Sequence, residues 1–259
     1  GERGYSVMPV NEYGGIIIRS VDNAGKKVIF ADNQYSYYLF KLAAGECLRV
    51  DKLSSFSIFV LNTDDENALF VRETGLTLNR GDMVQAENSA VSLEGRAPQV
   101  MLLISGINKS CAKDKEVNRI RHKDIYRVTK PWGHELWING EHPGYALKEV
   151  KIKAGTRTSL QYHRYKYETN VIFSGRANIH YKKETDKSND DVKAEDIGSV
   201  NISPITSVEV RPDTLHRVEA LTDIVLYETS TPHLDDVIRI QDDTARDNGR
   251  IVTEHGRNL

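Results

Sequence analysis

The sequence predicts an all-β protein made of two β units of similar size in tandem, and three features carry that reading. From Gly15 to Gly106, short β-branched and aromatic runs follow one another: GIIIRS, KKVIFAD, SYYLFKLA, SFSIFVLN, ALFVRE, AVSLEG and QVMLLISG. Their spacing, with Gly, Asn and Asp turns between them, is that of a sandwich or barrel. A charged and thinly apolar stretch, NKSCAKDKEVNRIRHKDIYRV, then interrupts the pattern. It resumes at Tyr145 with YALKEVKIK, TNVIFSG, ANIHYKK, SVNISP, SVEVRP, HRVEAL and DIVLYETS.

These features set the expected boundaries. Residues 1–106 form the first β unit. Residues 107–129 form a linker with one short helix between Asp114 and Arg121. Residues 130–259 form the second unit and end in a C-terminal arm. Within the second unit, KKETDKSNDDVKAEDIG is too charged to bury and reads as a flexible hairpin loop. The tail DDVIRIQDDTARDNGRIV reads either as a short docking helix or as an extended arm.

A chain of 259 residues buries enough surface to fold without staples. The net charge of -2 and pI near 6.5 arise from mixed signs with no polybasic run. That balance argues against nucleic acid or an anionic membrane as the main partner and favours a small polar ligand. Cys47 and Cys111 are far apart and outside any CxxC pattern, as expected of two free thiols in a reducing compartment. No run is long enough to cross a bilayer as a helix, so a soluble, cytoplasmic protein is expected.

The chemistry concentrates in SLQYHRYKYE, residues 159–168. Strand periodicity places Gln161, His163 and Tyr165 on one face and Tyr162, Arg164 and Lys166 on the other. Glu168 begins the next run, and His216 shares parity with Val218 and Ala220, so both can face the interior. Taken alone, either histidine reads as an ordinary part-buried ring bonded to backbone. Together, Gln161, His163, Glu168 and His216 supply two imidazoles, a carboxylate and an amide oxygen, a set suited to a divalent first-row metal with positions left open. Lys148 shares a face with Val150 and Ile152. An inward lysine implies substrate contact or a stem that snorkels at a barrel rim.

KPWGHELWI, LKEVKIKAG, SLQYHRYKYE, FSGRA, LHRVEA and DDVIRIQDDTAR follow in the order seen in the C-terminal cupin of type II phosphomannose isomerases, and residues from about Lys130 to Arg246 are similar to it. The resemblance implies a cupin, a double-stranded β-helix or jelly-roll barrel with its site in the mouth. It implies a divalent metal, zinc first and manganese, iron or nickel as alternatives, held by Gln161, His163, Glu168 and His216. It implies interconversion of an aldose phosphate and a ketose phosphate in carbohydrate biosynthesis. GLTLNRGDMVQAE resembles the strand-Gly-Asp-strand turn of the same fold, whereas GECLRVDKLSSFSIFVLN lacks histidines where the metal motif falls. The whole chain thus reads as a bicupin, two tandem cupin-like barrels with a degenerate first half, and a preceding pyrophosphorylase domain, frequent in the family, is not expected.

The chain departs from the family at Tyr165, where a histidine is expected, at Glu149 in place of an arginine, and at Arg211-Pro212-Asp213 in place of Pro-x-Gly. Restoring the imidazole with Tyr165→His is therefore expected to tighten metal binding. Arg217 matches a family arginine that serves the substrate, although alternation sends it outward if His216 points in. His134, between Trp132 and Trp137, is a substrate contact if it reaches the mouth. Arg239 and Arg246 either hold phosphate or pair with Asp235, Asp236 and Asp242.

The leading functional expectation is a metal-dependent isomerase working through a cis-enediol, with Lys148 or a metal-bound water as the proton carrier. A metal-independent nucleotide-sugar epimerase or ketoisomerase, with His163 as base and Tyr165 as acid, is one rival. A non-catalytic sugar-binding bicupin is the other. The expected partners are a sugar or sugar phosphate and, by analogy with similar cupins, a second copy of the chain.

Overall fold

A computed structural model describes residues 10–21, 27–31, 34–61, 63–241 and 249–250. Among them almost every β-branched run is an antiparallel strand, and the only helical pieces are three single 3-10 turns. The chain forms two compact units.

In the first unit a six-stranded sheet runs in the order Glu116–Ile120, Met83–Glu87, Ser55–Val60, Gln99–Ile107, Ser36–Ala43, Lys27–Ala31. A four-stranded sheet, Cys47–Val50, Val91–Gly95, Leu69–Val71, Leu76–Leu78, faces it. Alternate residues of both sheets fill the space between them: Phe56, Ile58 and Val60 from one, Leu69, Val71 and Leu93 from the other. The space between the two sheets is filled by apolar side chains among the described residues.

The second unit pairs an eight-stranded sheet with a six-stranded one. The first runs Val10–Tyr13, Ile16–Ser20, Thr206–Val210, Glu168–Ser174, Ile224–Ser230, Ala146–Ile152, Gly133–Trp137, Tyr126–Lys130. The second runs Ile197–Ile202, Ala177–Lys182, His216–Ala220, Leu160–Tyr162, Ile238–Gln241, Gly249–Arg250. Ile16, Ile18, Val150, Ile172, Val208 and Leu226 from one sheet meet Ala177, Ile179, Ile202 and Ala220 from the other.

The boundaries differ from those read in the sequence. Residues 10–21 belong to the second unit, and Trp137–Leu147 belongs to the first. Ile16 and Ile18 are apolar on a face that only the core beside Val208 and Val210 can cover, and a period-two run does not reveal its partner strand. Trp137–Leu147 is held in the first unit by polar contacts. The Tyr145 hydroxyl, fully buried, lies 2.7 Å from Ser57 Oγ and accepts from Gln85 Nε2 at 3.1 Å. His142 Nδ1 accepts the Gly144 N–H at 3.0 Å, so Nε2 carries the proton and donates to Glu87 at 2.6 Å. Glu87 also accepts from Ser55.

Two further expectations change. The helix expected between Asp114 and Arg121 is a strand, Glu116–Ile120, paired with Met83–Glu87, and its Val117 packs against the first core. The charged stretch 183–196 is the loop of a hairpin between Ala177–Lys182 and Ile197–Ile202, as expected, but the loop is anchored. It forms two 3-10 turns, seats Val192 beside Leu160, Tyr162 and Leu215, and receives the Tyr162 hydroxyl on Asp190 at 3.0 Å. The tail continues as an extended arm, Ile238–Gln241, on the edge of Leu160–Tyr162.

Candidate metal centre

A cavity of about 100 Å³ opens within the second unit. Each strand that reaches it contributes residues of one parity. Lys148, Val150 and Ile152 come from one strand, Leu226 and Glu228 from another, His216 and Val218 from a third. Gln161 stands directly opposite His216 on one side and Arg239 on the other, so adjacent strands bring three polar side chains to one wall.

His163, Glu168 and His216, all buried, each place one ligand atom within 4.8 Å of the others, and they are the one such His, Cys, Asp and Glu cluster among the described residues. The tautomers follow from the backbone. His163 Nδ1 lies 2.6 Å from the Asp236 carbonyl, and His216 Nδ1 lies 2.9 Å from the Thr214 carbonyl. A carbonyl only accepts, so each Nδ1 carries a proton and each ring turns Nε2 inward, the atom whose lone pair can bind a metal when the ring is neutral. Both point at Glu168 Oε1, at 3.4 Å from His163 and 3.1 Å from His216. His163 Nε2 is buried without a hydrogen bond, the 3.4 Å approach to Glu168 lacking the geometry for one. Burial lowers the His163 pKa, outweighing the opposing pull of Glu168, and keeps the ring neutral.

Two imidazole Nε2 atoms and a carboxylate oxygen converging on one point are a donor set that fits a cation. The residues that would hold it are His163 and His216 through Nε2, Glu168 through its carboxylate and Gln161 through its amide oxygen. That oxygen already accepts from Ser159 Oγ at 2.5 Å, which orients it. The donor set of two nitrogens and two oxygens suits a divalent first-row metal.

Other charged groups crowd the same cavity. Lys166 Nζ lies 3.4 Å from Glu168 Oε2 and 3.1 Å from Glu228 Oε1. Glu168 therefore turns one oxygen to the imidazoles and the other to an ammonium. Burial opposes ionisation of Glu168, but the Lys166 ammonium beside it holds its carboxyl well below the usual range. Burial pushes the Glu228 carboxyl up to about 7, with Lys166 pulling the other way and Glu168 adding to the rise. Burial also works against the Lys166 charge, yet Glu228 and Glu168 raise its pKa above the ordinary lysine value. Lys148 Nζ stands 3.8 Å from Glu135 Oε1.

Of the residues singled out in the sequence, Gln161, His163, Glu168, His216, Lys148 and Arg239 line this cavity. Tyr165, Arg217 and His134 do not. The strand ends at Tyr162, and the turn that follows sends the Tyr165 side chain out, 68% exposed, while Lys166 comes in. The His163 and Tyr165 acid-base pair is therefore not assembled. Arg217 faces away from His216, as alternation requires, and its Nε and Nη2 donate to the carbonyls of Thr158 at 2.7 Å and Gln241 at 3.2 Å. His134 turns away from the cavity while its neighbour Glu135 turns in, and its Nε2 is 3.4 Å from Arg127 Nη1. Burial, then the charges of Arg127 and Lys151, lower its pKa. Arg246 and Asp242 lie outside the described residues.

Glu135, Lys166 and Glu228 were not singled out by sequence reasoning. Glu228 carried a signal, because it shares parity with Ile224 and Leu226 as Lys148 does with Val150. The departure at Arg211-Pro212-Asp213 proves conservative in shape. Asp213 adopts φ 61, the left-handed region where glycine is expected and Asp is tolerated. Its N–H donates to the His163 carbonyl at 2.6 Å. Glu149 accepts from the Tyr227 hydroxyl at 2.9 Å.

With Tyr165 in solvent, Tyr165→His is now expected to leave divalent-metal affinity within about twofold of wild type in a chelator competition, as surface changes usually do. A clear gain in affinity would show that the side chain swings inward.

The fold is shared with bicupins. A Lactobacillus farciminis oxalate decarboxylase in its formate complex superposes with TM-score 0.58 at 11% identity, over 90% of this chain and 86% of that one. A Bacillus subtilis oxalate decarboxylase, a protein with Mn(II) centres, gives TM-score 0.58 at 11% identity, over 90% and 78%. No curated protein matches the chain in sequence. Residues 113–242, half the chain, match the family model described as mannose-6-phosphate isomerase C-terminal, and the stretch includes every side chain of the candidate metal cluster. The protein is a cupin and belongs to that family.

Proposed function

We propose that the second unit is a metal-dependent aldose-ketose isomerase acting on a sugar phosphate. The observation that carries the reading is one cavity in which a two-imidazole, one-carboxylate cluster is ringed by Lys130, Lys148, Lys166 and Arg239. An anionic polyol fits that combination.

When bound, a divalent cation, zinc first among the candidates, would polarise the carbonyl and hydroxyl oxygens of the sugar and stabilise the developing oxyanion. The chain's own residues do the rest. Arg239 and Lys130 bind the phosphate, the guanidinium through a planar fork. Lys148 and Glu135 form the acid-base pair. The pair removes the proton from the hydroxyl-bearing carbon, leaving a cis-enediol, and returns it to the adjacent carbon as the carbonyl forms one position along. Lys166 keeps Glu168 ionised as a ligand, so that carboxylate is not free to shuttle protons. The epimerase alternative has lost its pair, since Tyr165 does not reach the cavity.

The test is a panel of hexose phosphates, mannose 6-phosphate among them, incubated with purified full-length protein. Conversion of one aldose phosphate to its ketose, abolished by a chelator and restored by added metal, is the expected result. Metal-loaded protein that converts none of them would overturn the reading.

A further inference from the structure

We propose that Asp236 is the positioning residue of this site: it grips the ligand-bearing turn at residues 163–166 from both its ends and thereby decides which side chains enter the cavity. The inference rests on the reading of His163 as a metal ligand.

Four hydrogen bonds support it. The Asp236 carbonyl accepts His163 Nδ1–H at 2.6 Å. The carboxylate of the same residue accepts three successive backbone N–H groups, Arg164 at 3.1 Å, Tyr165 at 2.6 Å and Lys166 at 3.0 Å. Successive N–H groups of a strand point to opposite sides, so a strand cannot present three of them to one carboxylate. A concave turn can, as an anion-binding nest.

The carboxylate is therefore incompatible with the continuation of Leu160–Tyr162 as a strand. In a continued strand Gln161, His163 and Tyr165 would share the inner face and Lys166 would point out. With the carboxylate in place Tyr165 is exposed and Lys166 reaches Glu168 and Glu228. One acidic side chain thus exchanges a phenol for an ammonium beside the ligand carboxylate. Its backbone carbonyl sets the His163 tautomer at the same time. Asp236 is buried, and the segment carrying it supplies Leu234, Val237 and Arg239 to the cavity, so the turn and that wall are held together by one residue. Burial opposes ionisation of Asp236, but the three N–H groups hold its carboxyl below the ordinary value.

The near-isosteric Asp236→Asn replaces an accepting oxygen by an NH2 that confronts the backbone donors. In metal-free variant protein, hydrogen exchange at the Tyr165 and Lys166 amides should accelerate by about tenfold or more. Nitrogen NMR of His163 should show loss of the single Nδ1–H tautomer. Metal affinity by chelator competition should fall by roughly 10–100-fold, the usual cost of removing an outer-shell partner. A general loss of stability would not select one ring's tautomer. Should the variant not fold, the metal-free wild type still decides: the Nδ1–H tautomer at His163 with slow exchange at both amides is required. An Nε2–H tautomer, fast exchange at those amides, or a folded variant with unchanged exchange and tautomer overturns the proposal. Failure of the wild type to bind any metal would instead overturn the isomerase reading, and the ring and amide measurements, which need no metal, would still decide the role of Asp236.

Discussion

His216→Ala is expected to abolish metal retention and turnover together while leaving the second unit folded. In the proposed site His216 would supply one of two nitrogen donors; it lies 3.1 Å from Glu168 Oε1 and stands at the cavity wall rather than in the apolar cluster around Ile172 and Val208. Loss of a direct ligand should cost more than the roughly 10–100-fold that follows loss of an outer-shell partner. Metal content after dialysis and circular dichroism, measured on the same sample, check both halves of the expectation. Retained metal with lost turnover would reassign His216 to proton transfer. Unchanged turnover would remove it from the site.

Lys166→Met is expected to produce the largest loss of stability. The substitution keeps most of the stem and deletes the ammonium between Glu168 and Glu228, whose carboxylate oxygens lie 3.4 and 3.1 Å from Nζ. Removing one partner of a buried ion pair leaves an uncompensated charge, at a cost of about 3–5 kcal/mol. Here two carboxylates would face each other. Urea unfolding of metal-free protein measures the loss, and a divalent metal should restore part of it by replacing the missing positive charge beside Glu168. A change below about 1 kcal/mol, the range of exposed pairs, would mean that Lys166 is not the counter-charge of the site.

The strand runs were legible because β-branched residues and turn residues alternate at a spacing that helices do not share. Inward parity was equally legible within a strand: Lys148 beside Val150, and His216 beside Val218, both line the cavity as their neighbours imply. What could not be read is where a strand stops. Nothing local in HRYKYE ends the alternation after Tyr162, because the group that ends it, the Asp236 carboxylate, is 70 residues away from Lys166 in the chain. The assignment of Tyr165 to the interior failed for that reason, and Lys166 was missed with it. Strand partners were hidden in the same way. GIIIRS announces a buried strand, but only three-dimensional pairing places Ile16 beside Val210. Charge density misled at 114–121, where Val117 was enough to pin a strand to a core, and at 183–196 it marked the hairpin loop but hid that Val192 anchors it.

The pairing of Ile16–Ser20 with Thr206–Val210 also has a consequence in time. Arg19 and Glu209, which meet across that pair, are 190 positions apart. At about 5–20 residues per second, roughly ten to forty seconds of synthesis separate their emergence from the ribosome. For that interval Ile16–Ser20 has Val10–Tyr13 on one side and an open edge on the other, and all of the first unit, up to Leu147, is made before Thr206–Val210 arrives. During synthesis the chain thus carries a β-branched hairpin with one open edge, the kind of segment that pairs with other chains when it waits too long. A fragment cut at residue 130 carries the complementary defect, an open edge at Thr206–Val210 where that hairpin belongs.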